Sequence, residues 1–281
     1  MCNQQFFDEL LHSDDRNRSD AMRRLGISDE SAIATYMIDR LASPDSDVRA
    51  AAVNALERLG DENRVSLLVD SLRKRDTGAR YSVVRALGEI GGDAALRALY
   101  DTLGDWDDDV RYAVVSALGK IGGAEAVPYL MTAMNDYDGS VRRHAANVLG
   151  DIGDARAVPA LINALNNRRG WRKEREDIVF ALGKIGGPEA VQGLTYALRD
   201  DFCTVSSYAA LCLGRIGGDE AYRGLIEALP ELCGQAREYA DRALVEIGDL
   251  VRKRLDGDSQ RVWYGNELVS DDEPSPSDLT A

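Results

Sequence analysis

The sequence predicts an all-α fold made of stacked helix pairs, an α-solenoid, and three observations predict it. A six-residue pattern, Leu-Gly-x-Ile-Gly-Gly or a close variant, returns along most of the chain at a nearly constant step. Each step contains two segments in which apolar residues recur at helical spacing. No segment shows the regular alternation of apolar and polar residues that predicts a β-strand.

The repeated pattern fixes the length of the structural unit. From Leu56 onward its copies are separated by 31, 31, 31, 33, 31 and 31 residues, and a degraded copy lies one step earlier, at Leu25-Gly26. One such helix pair cannot bury both of its apolar stripes, so it has to pack on neighbouring pairs. We therefore expect about seven to eight helix pairs, in units that end near Leu25, Gly60, Gly91, Gly122, Gly153, Gly186, Gly217 and Gly248.

Each unit contains a first helix, a short turn and a second helix. In the unit that ends at Gly153, apolar residues recur at helical spacing on both sides of a polar turn at 135–139. Glycine can adopt the left-handed conformation that closes the last carbonyls of a helix, so we expect Gly153 and its equivalents to end each second helix.

The run from Asp107 to Gly122, Asp-Asp-Asp-Val-Arg-x5-Ala-Leu-Gly-x-Ile-Gly, resembles the HEAT repeat in its short form, the PBS lyase HEAT-like repeat. The resemblance covers roughly residues 21–255. It implies a right-handed α-α superhelix, the HEAT-repeat α-solenoid, in which the outward face of each second helix lines the concave side. Families with this repeat include bilin lyase subunits, a metal-dependent hydroxylase, regulatory scaffolds and taxis adaptors of halophilic archaea, and they share a curved surface that binds a partner.

The segments outside the repeats differ from them in composition. Residues 1–20 contain a short amphipathic pattern, Phe6, Phe7, Leu10 and Leu11, and we expect a capping helix there ahead of the solenoid at 21–255. Residues 256–281 are rich in Asp, Ser and Pro, which predicts an acidic and mostly disordered tail. Within it, Val262-Trp263-Tyr264 either packs against the last helices or serves as a short docking motif.

The Arg that follows Val in the second helix gives each unit a reference position, called here position zero: Arg49, Arg80, Arg111, Arg142, Arg175, Ser206 and Arg237. Apolar residues at −1, +3, +6, +7 and +10 form the buried stripe, so +1, +5 and +8 point away from it and +9 lies at the edge. On the concave face that the resemblance implies, the residues expected to bind a partner are Tyr81, Arg85, Tyr112, Lys120, Arg143, Asn147, Phe180, Lys184, Leu211 and Arg215.

These residues indicate the chemistry of the expected partner. The face is less acidic than the rest of a chain whose net charge is −14, and its aromatic and aliphatic members are of the types that dominate binding energy at interfaces. We therefore predict a protein partner that presents an acidic or amphipathic segment. The alternative is that these side chains only cover neighbouring helices.

Two further patterns lie at the turn between the helices of a unit. The position four residues before position zero is an aspartate in the first four units: Asp45, Asp76, Asp107 and Asp138. We expect these aspartates to cap the second helix or to bond the Arg of the same or the next unit. The later units have Trp171, Phe202 and Cys233 at this position. The 33-residue step adds a basic loop, with Arg168, Arg169, Trp171, Arg172 and Lys173. The loop either meets an acidic or phosphate-bearing partner or is simply solvated, and the acidic body of the chain argues against nucleic acid.

The sequence contains no recognisable catalytic arrangement, and we expect no catalytic residue, metal or cofactor. His12 and His144 are its only histidines, and neither begins the His-Glu pairs on which the hydroxylase of the resembled family relies. Cys212 occupies a buried apolar position and is expected in the core. The predicted function is a non-enzymatic scaffold or adaptor. The alternative is a bilin lyase-like subunit or a chaperone-like transferase, which need not show a catalytic motif.

Composition and segment lengths predict the cellular setting. No run approaches the roughly 18–20 apolar residues that cross a bilayer, and the start lacks a secretory pattern, so we expect no membrane contact and a cytoplasmic protein. The acids are 32 Asp and 16 Glu, and the bases are 29 Arg and 5 Lys. Such an Asp-rich, Lys-poor surface is typical of proteins in concentrated salt, and with the resemblance it suggests signalling or taxis regulation in a halophilic archaeon.

The charge composition predicts how stability depends on salt. Repulsion among surplus carboxylates opposes the compact state and is screened as ionic strength rises, since the Debye length falls from about 10 Å at 0.1 M to about 3 Å at 1 M. We expect the melting temperature, followed by circular dichroism, to rise from low-salt buffer to molar KCl. A melting temperature that stays constant or falls over this range would contradict the salt-adaptation hypothesis.

Overall fold

The computed structural model describes residues 15–27, 31–58, 64–73, 77–166, 172–232, 234–255, 261–264 and 267–270. The chain divides into two compact units, Met1–Tyr129 and Leu130–Ala281, and α-helices make up nearly all of the described part of each. None of the described helices combines the length and the apolar content that a membrane crossing requires.

The helices follow one another with short connections. In chain order they are α1 Asp15–Leu25, α2 Ser31–Arg40, α3 Ser46–Arg58, α4 Arg64–Leu72, α5 Thr77–Ile90, α6 Gly92–Thr102, α7 Asp108–Ile121, α8 Gly123–Ala133, α9 Gly139–Ile152, α10 Val158–Asn166, α11 Arg172–Ile185, α12 Gly187–Ala197, α13 Cys203–Ile216, α14 Gly218–Ala228 and α15 Gly234–Leu255. A 3₁₀ turn, Ala155–Ala157, precedes α10, and two strands, β1 Arg261–Tyr264 and β2 Glu267–Ser270, follow α15.

Helices pack in pairs, and the pairs stack side by side. In the first unit α2 packs on α3, α4 on α5 and α6 on α7; in the second unit the pairs are α10–α11, α12–α13 and α14–α15. Second helices of successive pairs contact one another extensively, α3–α5–α7 in one unit and α9–α11–α13–α15 in the other, whereas the first helices touch less. The predicted all-α fold of stacked helix pairs is confirmed.

The leading leucine of the repeated pattern forms the core between the two helix layers. Leu56, Leu87, Leu118, Leu149, Leu182 and Leu213 have no exposed surface. Burying a leucine side chain contributes about 1.5–3 kcal/mol relative to leaving it in water. A row of such residues along the second helices therefore accounts for much of the stacking energy.

A pair of glycines reverses the chain between most successive helix pairs. Gly122 alone separates α7 from α8, with φ 67° and ψ −163°, and Gly123 begins the next helix at φ 71°. Gly91, Gly186 and Gly217 make the same one-residue junction. Gly153 instead takes the expected left-handed conformation, with φ 76° and ψ 11°, because Asp154 follows it in place of a second glycine and caps the 3₁₀ turn.

The helical projection predicted that position +8 points to solvent. In the structure the glycine at this position lies between two second helices instead. A Cβ built on Gly88 would lie 2.8 Å from Ala117 Cβ, and one on Gly150 would lie 2.7 Å from Ala181 Cα. Both alanines occupy position +6 of the next second helix. The absence of a side chain at +8 therefore lets successive second helices approach at backbone distance.

The C-terminal part departs from the predicted secondary structure. α15 is one helix of 22 residues that continues through Gly248, where the sequence predicted an end, because no further repeat follows to reverse the chain. β1 and β2 pair antiparallel, with Val262 opposite Val269, although no strand was expected in the tail. At the other end, α1 runs across residue 20, the predicted boundary between a capping helix and the solenoid, and residues 1–14 lie outside the described residues.

The close helix contact predicts opposite effects for two glycine substitutions. Gly150→Ala should lower the free energy of unfolding by about 1–3 kcal/mol, because the new methyl group overlaps Ala181. Gly248→Ala, at a helical glycine with no described atom within 4 Å of the built Cβ, should raise it by up to about 1 kcal/mol through helix propensity. Urea denaturation of both variants measures the difference, and equal effects of the same sign would contradict the packing role of position +8.

Candidate functional site

The predicted partner-binding residues of the first unit lie on α5 and α7. Tyr81 and Tyr112 occupy the same position on these adjacent helices and are 42% and 40% exposed, although tyrosine is usually more buried. Arg85 lies one turn after Tyr81 and is exposed, and Lys120 is exposed near the end of α7. Because α5 packs directly on α7, the two exposed tyrosines lie at equivalent positions of adjacent helices, and Arg85 is one turn along α5 from Tyr81.

In the second unit the predicted residues lie on α9, α11 and α13. Arg143, Asn147, Phe180 and Leu211 are half-buried, and Lys184 and Arg215 are exposed. The ring of Phe180 packs against that of Tyr208 on the next second helix, with centroids 4.5 Å apart and planes tilted by 43°. Tilted aromatic pairs of this kind add about 0.5–1.5 kcal/mol beyond their buried area. We call the predicted residues on the second helices of either unit, taken by itself, the second-helix strip of that unit; the strip of the second unit includes Tyr208.

Three of the predicted cations form ion pairs between adjacent second helices. Lys120 Nζ bonds the Glu89 carboxylate, Lys184 Nζ bonds that of Asp151, and Arg143 Nε donates to Asp177 Oδ2 at 2.6 Å. In the free protein the charges of these three bases are therefore balanced by carboxylates of the neighbouring second helix. Arg85 in the first unit and Arg215 in the second form no ion pair among the described residues, and both are exposed.

The helical projection placed some positions incorrectly around the second helix. Position +2, which was not considered, brings Tyr208 and Asp177 against the preceding helix. Ser207, at position +1, is buried and donates a hydrogen bond to the Cys203 carbonyl. The exposed face thus includes +5, +9 and, in the first unit, +1, whereas the neighbouring second helix covers +8. A sequence signal existed, since the glycine at +8 recurs in nearly every unit.

The aspartates four residues before position zero cap the second helices, as predicted. Asp107 Oδ1 accepts hydrogen bonds from the backbone of Asp109 and Val110, and Asp138 Oδ1 accepts them from Ser140 and Val141. Asp45 accepts one from Asp47 N at 2.8 Å. Asp76, the fourth member of this set, lies outside the described residues.

Three arginines at position zero, Arg80, Arg142 and Arg175, bond carboxylates of the following repeat that do not belong to the capping set. Arg80 makes a bidentate pair with Asp105 at 2.8 and 3.1 Å, under the ring of Trp106, and Arg142 pairs with Glu174 at 2.7 and 2.9 Å.

Arg175 continues this ladder to the buried carboxylate of Asp200, with Nε 2.8 Å from Oδ2, so the ladder does not stop where Trp171 and Phe202 replace the capping aspartate. Asp105 and Asp200 both stand six residues before position zero of the following unit. The ladder fixes the register in which the second helices present the strip.

The basic loop is described only in part. Arg168, Arg169 and Trp171 lie outside the described residues. Arg172 and Lys173 begin α11 and are exposed, and Arg172 Nε lies 3.7 Å from Glu176 Oε1, one turn along the same helix. These two side chains therefore belong to a solvated helix start.

Two titratable residues of the second unit, Cys212 and His144, are wholly or partly buried. Burial raises the pKa of the Cys212 thiol to about 11, and its Sγ lies 3.8 Å from the Val179 carbonyl, so it is a core residue as predicted. Burial also lowers the pKa of His144, which is half-buried. Cys203 is an exposed free thiol, while Cys233 and His12 lie outside the described residues. No group of three or more His, Cys, Asp or Glu side chains within the described ranges could hold a metal ion.

Two family models match the sequence. The model of HEAT repeats matches residues 34–115 and 96–176, and that of the PBS lyase HEAT-like repeat matches residues 174–200. Together the matches extend without a gap from residue 34 to residue 200, across both units. A comparison with curated protein sequences finds no match.

Solved structures similar to this chain include large helical-repeat proteins. Kap121p bound to Ste12p has a TM-score of 0.54 at 14% identity, and Kap121p bound to Pho4p has 0.52 at 15%; each alignment covers 88% of this chain and 32% of Kap121p. This chain thus spans about a third of Kap121p. An engineered protein aligns at 22% identity over 92% of this chain and 83% of its own, with a TM-score of 0.46. At these identities the similarity to Kap121p shows the fold alone.

The two kinds of charge pair should differ in their effect on stability. Arg175→Met leaves the buried Asp200 carboxylate without its cation and should lower the free energy of unfolding by about 3–5 kcal/mol. Lys184→Met removes an exposed pair and should change it by at most about 1 kcal/mol. Urea denaturation tests both, with Arg175→Met/Asp200→Asn as a check that recovers part of the loss. Similar losses for Arg175→Met and Lys184→Met would show that the buried Arg175–Asp200 pair contributes no more to stability than the exposed Lys184–Asp151 pair.

Proposed function

The chain belongs to the HEAT-repeat proteins, and from that premise we propose that it is a scaffold or adaptor that binds a segment of a partner polypeptide on the second-helix strip. The observation that carries the proposal is the exposure of Tyr81 and Tyr112 at equivalent positions of adjacent helices. Aromatic side chains that are rigid and partly exposed supply much of the energy at protein interfaces.

The packing of each unit supports placing the strip on an inward-curving side. Second helices approach one another at backbone distance through glycine and alanine, and they touch along more of their length than the first helices do. A stack with one more closely packed layer curves toward that layer. The strip would then lie in a groove in which an extended or helical segment can contact several helices at once.

The charges of the strip support an acidic or amphipathic partner segment. Arg85 lies one helical turn from Tyr81, and Arg215 lies one turn from Leu211, so each exposed cation adjoins an apolar or aromatic side chain. A segment with a carboxylate next to an apolar residue would match both features. Long-range attraction is weak because the whole chain is acidic, so the fit depends on these local pairs.

The similar structures are consistent with this mode of binding. The Kap121p structures are described as bound to Ste12p and to Pho4p, which are polypeptides. We carry over only the general mode, a stack of helix pairs that binds a polypeptide.

We also propose a cellular setting, the cytoplasm of a salt-adapted organism, in signalling or taxis regulation. The surplus of Asp over Glu and of Arg over Lys supports the salt adaptation. The two described cysteines, Cys203 and Cys212, are free thiols, which suits a reducing compartment.

Substitution of the exposed residues of the first unit tests the scaffold proposal. The triple variant Tyr81→Ser/Arg85→Ser/Tyr112→Ser should bind its partner at least about tenfold more weakly, since losing one interface anchor costs 1.4 kcal/mol or more. Its melting temperature should change little because all three positions are exposed. Affinity capture with mass spectrometry identifies the partner, and fluorescence anisotropy with a labelled partner segment measures the affinity.

Tyr196→Ser provides the matched control, because Tyr196 is equally exposed but lies on a first helix of the other unit. It should leave the affinity unchanged. Equal capture by the wild type and the triple variant would contradict the proposal.

The match of residues 174–200 to the PBS lyase HEAT-like repeat favours one alternative, a bilin lyase-like subunit or chaperone-like transferase. A shifted absorption band on adding a bilin would support that alternative.

A further inference from the structure

The strip of the second unit has an apolar centre that crosses two adjacent second helices. Phe180 and Leu211 occupy position +5 on α11 and α13, and both are half-buried. The Phe180 ring packs on the half-buried ring of Tyr208, and Tyr208 and Leu211 are neighbours on α13 because three residues separate them along the helix. We call Phe180, Tyr208 and Leu211 the apolar track.

Charged side chains border the apolar track differently on its two sides. One helical turn toward the C-terminal ends of α11 and α13, at position +9, lie Lys184 and Arg215, both exposed. Lys184 pairs with the exposed Asp151 carboxylate, whereas Arg215 has no ion-pair partner among the residues that the structure describes. One turn in the other direction, at position +1, Glu176 accepts a hydrogen bond from Thr204 Oγ1. We call the side with Lys184 and Arg215 the basic edge of the track.

The distance between α11 and α13 sets the spacing of contacts along a bound segment. A Cβ built on Gly183 would lie 2.8 Å from Cys212 Cβ, so the two helices pack in direct contact. Packed helices lie about 8–10 Å apart. A segment that crosses both helices therefore contacts position +5 of each only if it presents equivalent side chains at that interval.

Of the three regular conformations, polyproline II alone repeats at this interval. It has three residues per turn and a rise of 3.1 Å, so equivalent side chains recur about every 9.3 Å. A β-strand presents side chains on one face about every 6.6–6.8 Å, and an α-helix about every 5.4 Å, or 11 Å over two turns. Aromatic-lined grooves are also the surfaces on which proline-rich segments bind in this conformation.

An unpaired amide side chain lies next to the apolar track. Asn147 occupies position +5 on α9, which packs on α11, and it is half-buried. Within the described ranges its side chain forms no hydrogen bond. A polyproline II segment has no internal hydrogen bonds, so its backbone can bond such an amide, whereas an α-helix uses its backbone groups internally.

From these observations we propose that the strip of the second unit binds a partner segment in the polyproline II conformation. Proline or another apolar residue at every third position of the segment contacts the apolar track, and a carboxylate between two of these positions faces Lys184 and Arg215. The Asn147 amide donates to a backbone carbonyl of the segment. This inference rests on the proposed function, because it defines the conformation and the sequence period of the segment that the strip binds.

Selection from a random peptide library on the immobilised full chain tests the period. Phage-displayed peptides of about twelve residues suffice, since that length spans about 37 Å in polyproline II. Enriched sequences should have proline or apolar residues at i, i+3 and i+6, with Asp or Glu between them. Enrichment of an i, i+4, i+7 or an i, i+2 period would overturn the inference and leave the proposed function intact, whereas no enriched peptide would contradict both.

Charge reversal at the basic edge tests the site. The most enriched peptide is synthesised with a fluorescent label, and anisotropy measures its affinity for the full chain. Arg215→Glu should weaken binding about tenfold, because an exposed attraction becomes a repulsion. The same substitution should have little effect on a peptide with Gln in place of its acidic residues. The matched control is Arg223→Glu on α14, a first helix of the same unit, because Arg223 is also exposed and without an ion pair in the described part.

A change in peptide spacing separates the period from the composition. One serine inserted between two contact positions of the peptide should weaken binding at least about tenfold, because only one of the two contacts can then form. The same serine added at the end of the peptide should leave the affinity unchanged. Tolerance of the internal insertion, or equal effects of Arg215→Glu and Arg223→Glu, would overturn the inference.

Discussion

The contact between a glycine on one second helix and an alanine or cysteine on the next determines how this protein is built. At Gly183 a Cβ would lie 2.4 Å from Cys212 Sγ, so even the smallest side chain at that position would force the helices apart. The leucine that precedes each of these glycines is fully buried, and its burial depends on that close approach. The second helices form a tightly packed layer for this reason, and side chains at neighbouring positions meet across the helix boundary, as Phe180 and Tyr208 do.

Much of the fold could be predicted from the sequence because its unit repeats. The spacing of the leucines, the apolar stripes and the capping aspartates are local features, and the helix bounds and the caps of Asp107 and Asp138 follow from them. Features that depend on the neighbouring unit were less accessible. A helical projection treats each helix alone, so it assigned position +8 to solvent and overlooked position +2. It also could not show that Arg175 reaches Asp200, since that carboxylate belongs to the next pair.

The candidate strip was predictable as a set of residues, but its electrostatics were not. Sequence counts treat Lys120 and Lys184 as free positive charges, whereas each pairs with a carboxylate of the preceding second helix. Such exposed pairs contribute about 0–1 kcal/mol, so a partner carboxylate can replace Glu89 or Asp151 at little cost in stability. Lys120 and Lys184 can thus be paired in the free protein and still be offered to an acidic segment. The buried ladder, in contrast, holds charges that no partner can reach.

Within each unit, the two edges of the stacked helix pairs tolerate changes in length differently. Along one edge the chain reverses through a single glycine, as at Gly122 and Gly186, and an added residue there would displace the next helix from its neighbour. Along the other edge the turns within the pairs connect the helices, and the 33-residue step lies on that side, between α9 and α11, where α10 ends later than its counterparts. Insertions that diversify such a protein between lineages should therefore accumulate on the turn edge, while the glycine edge keeps a constant length.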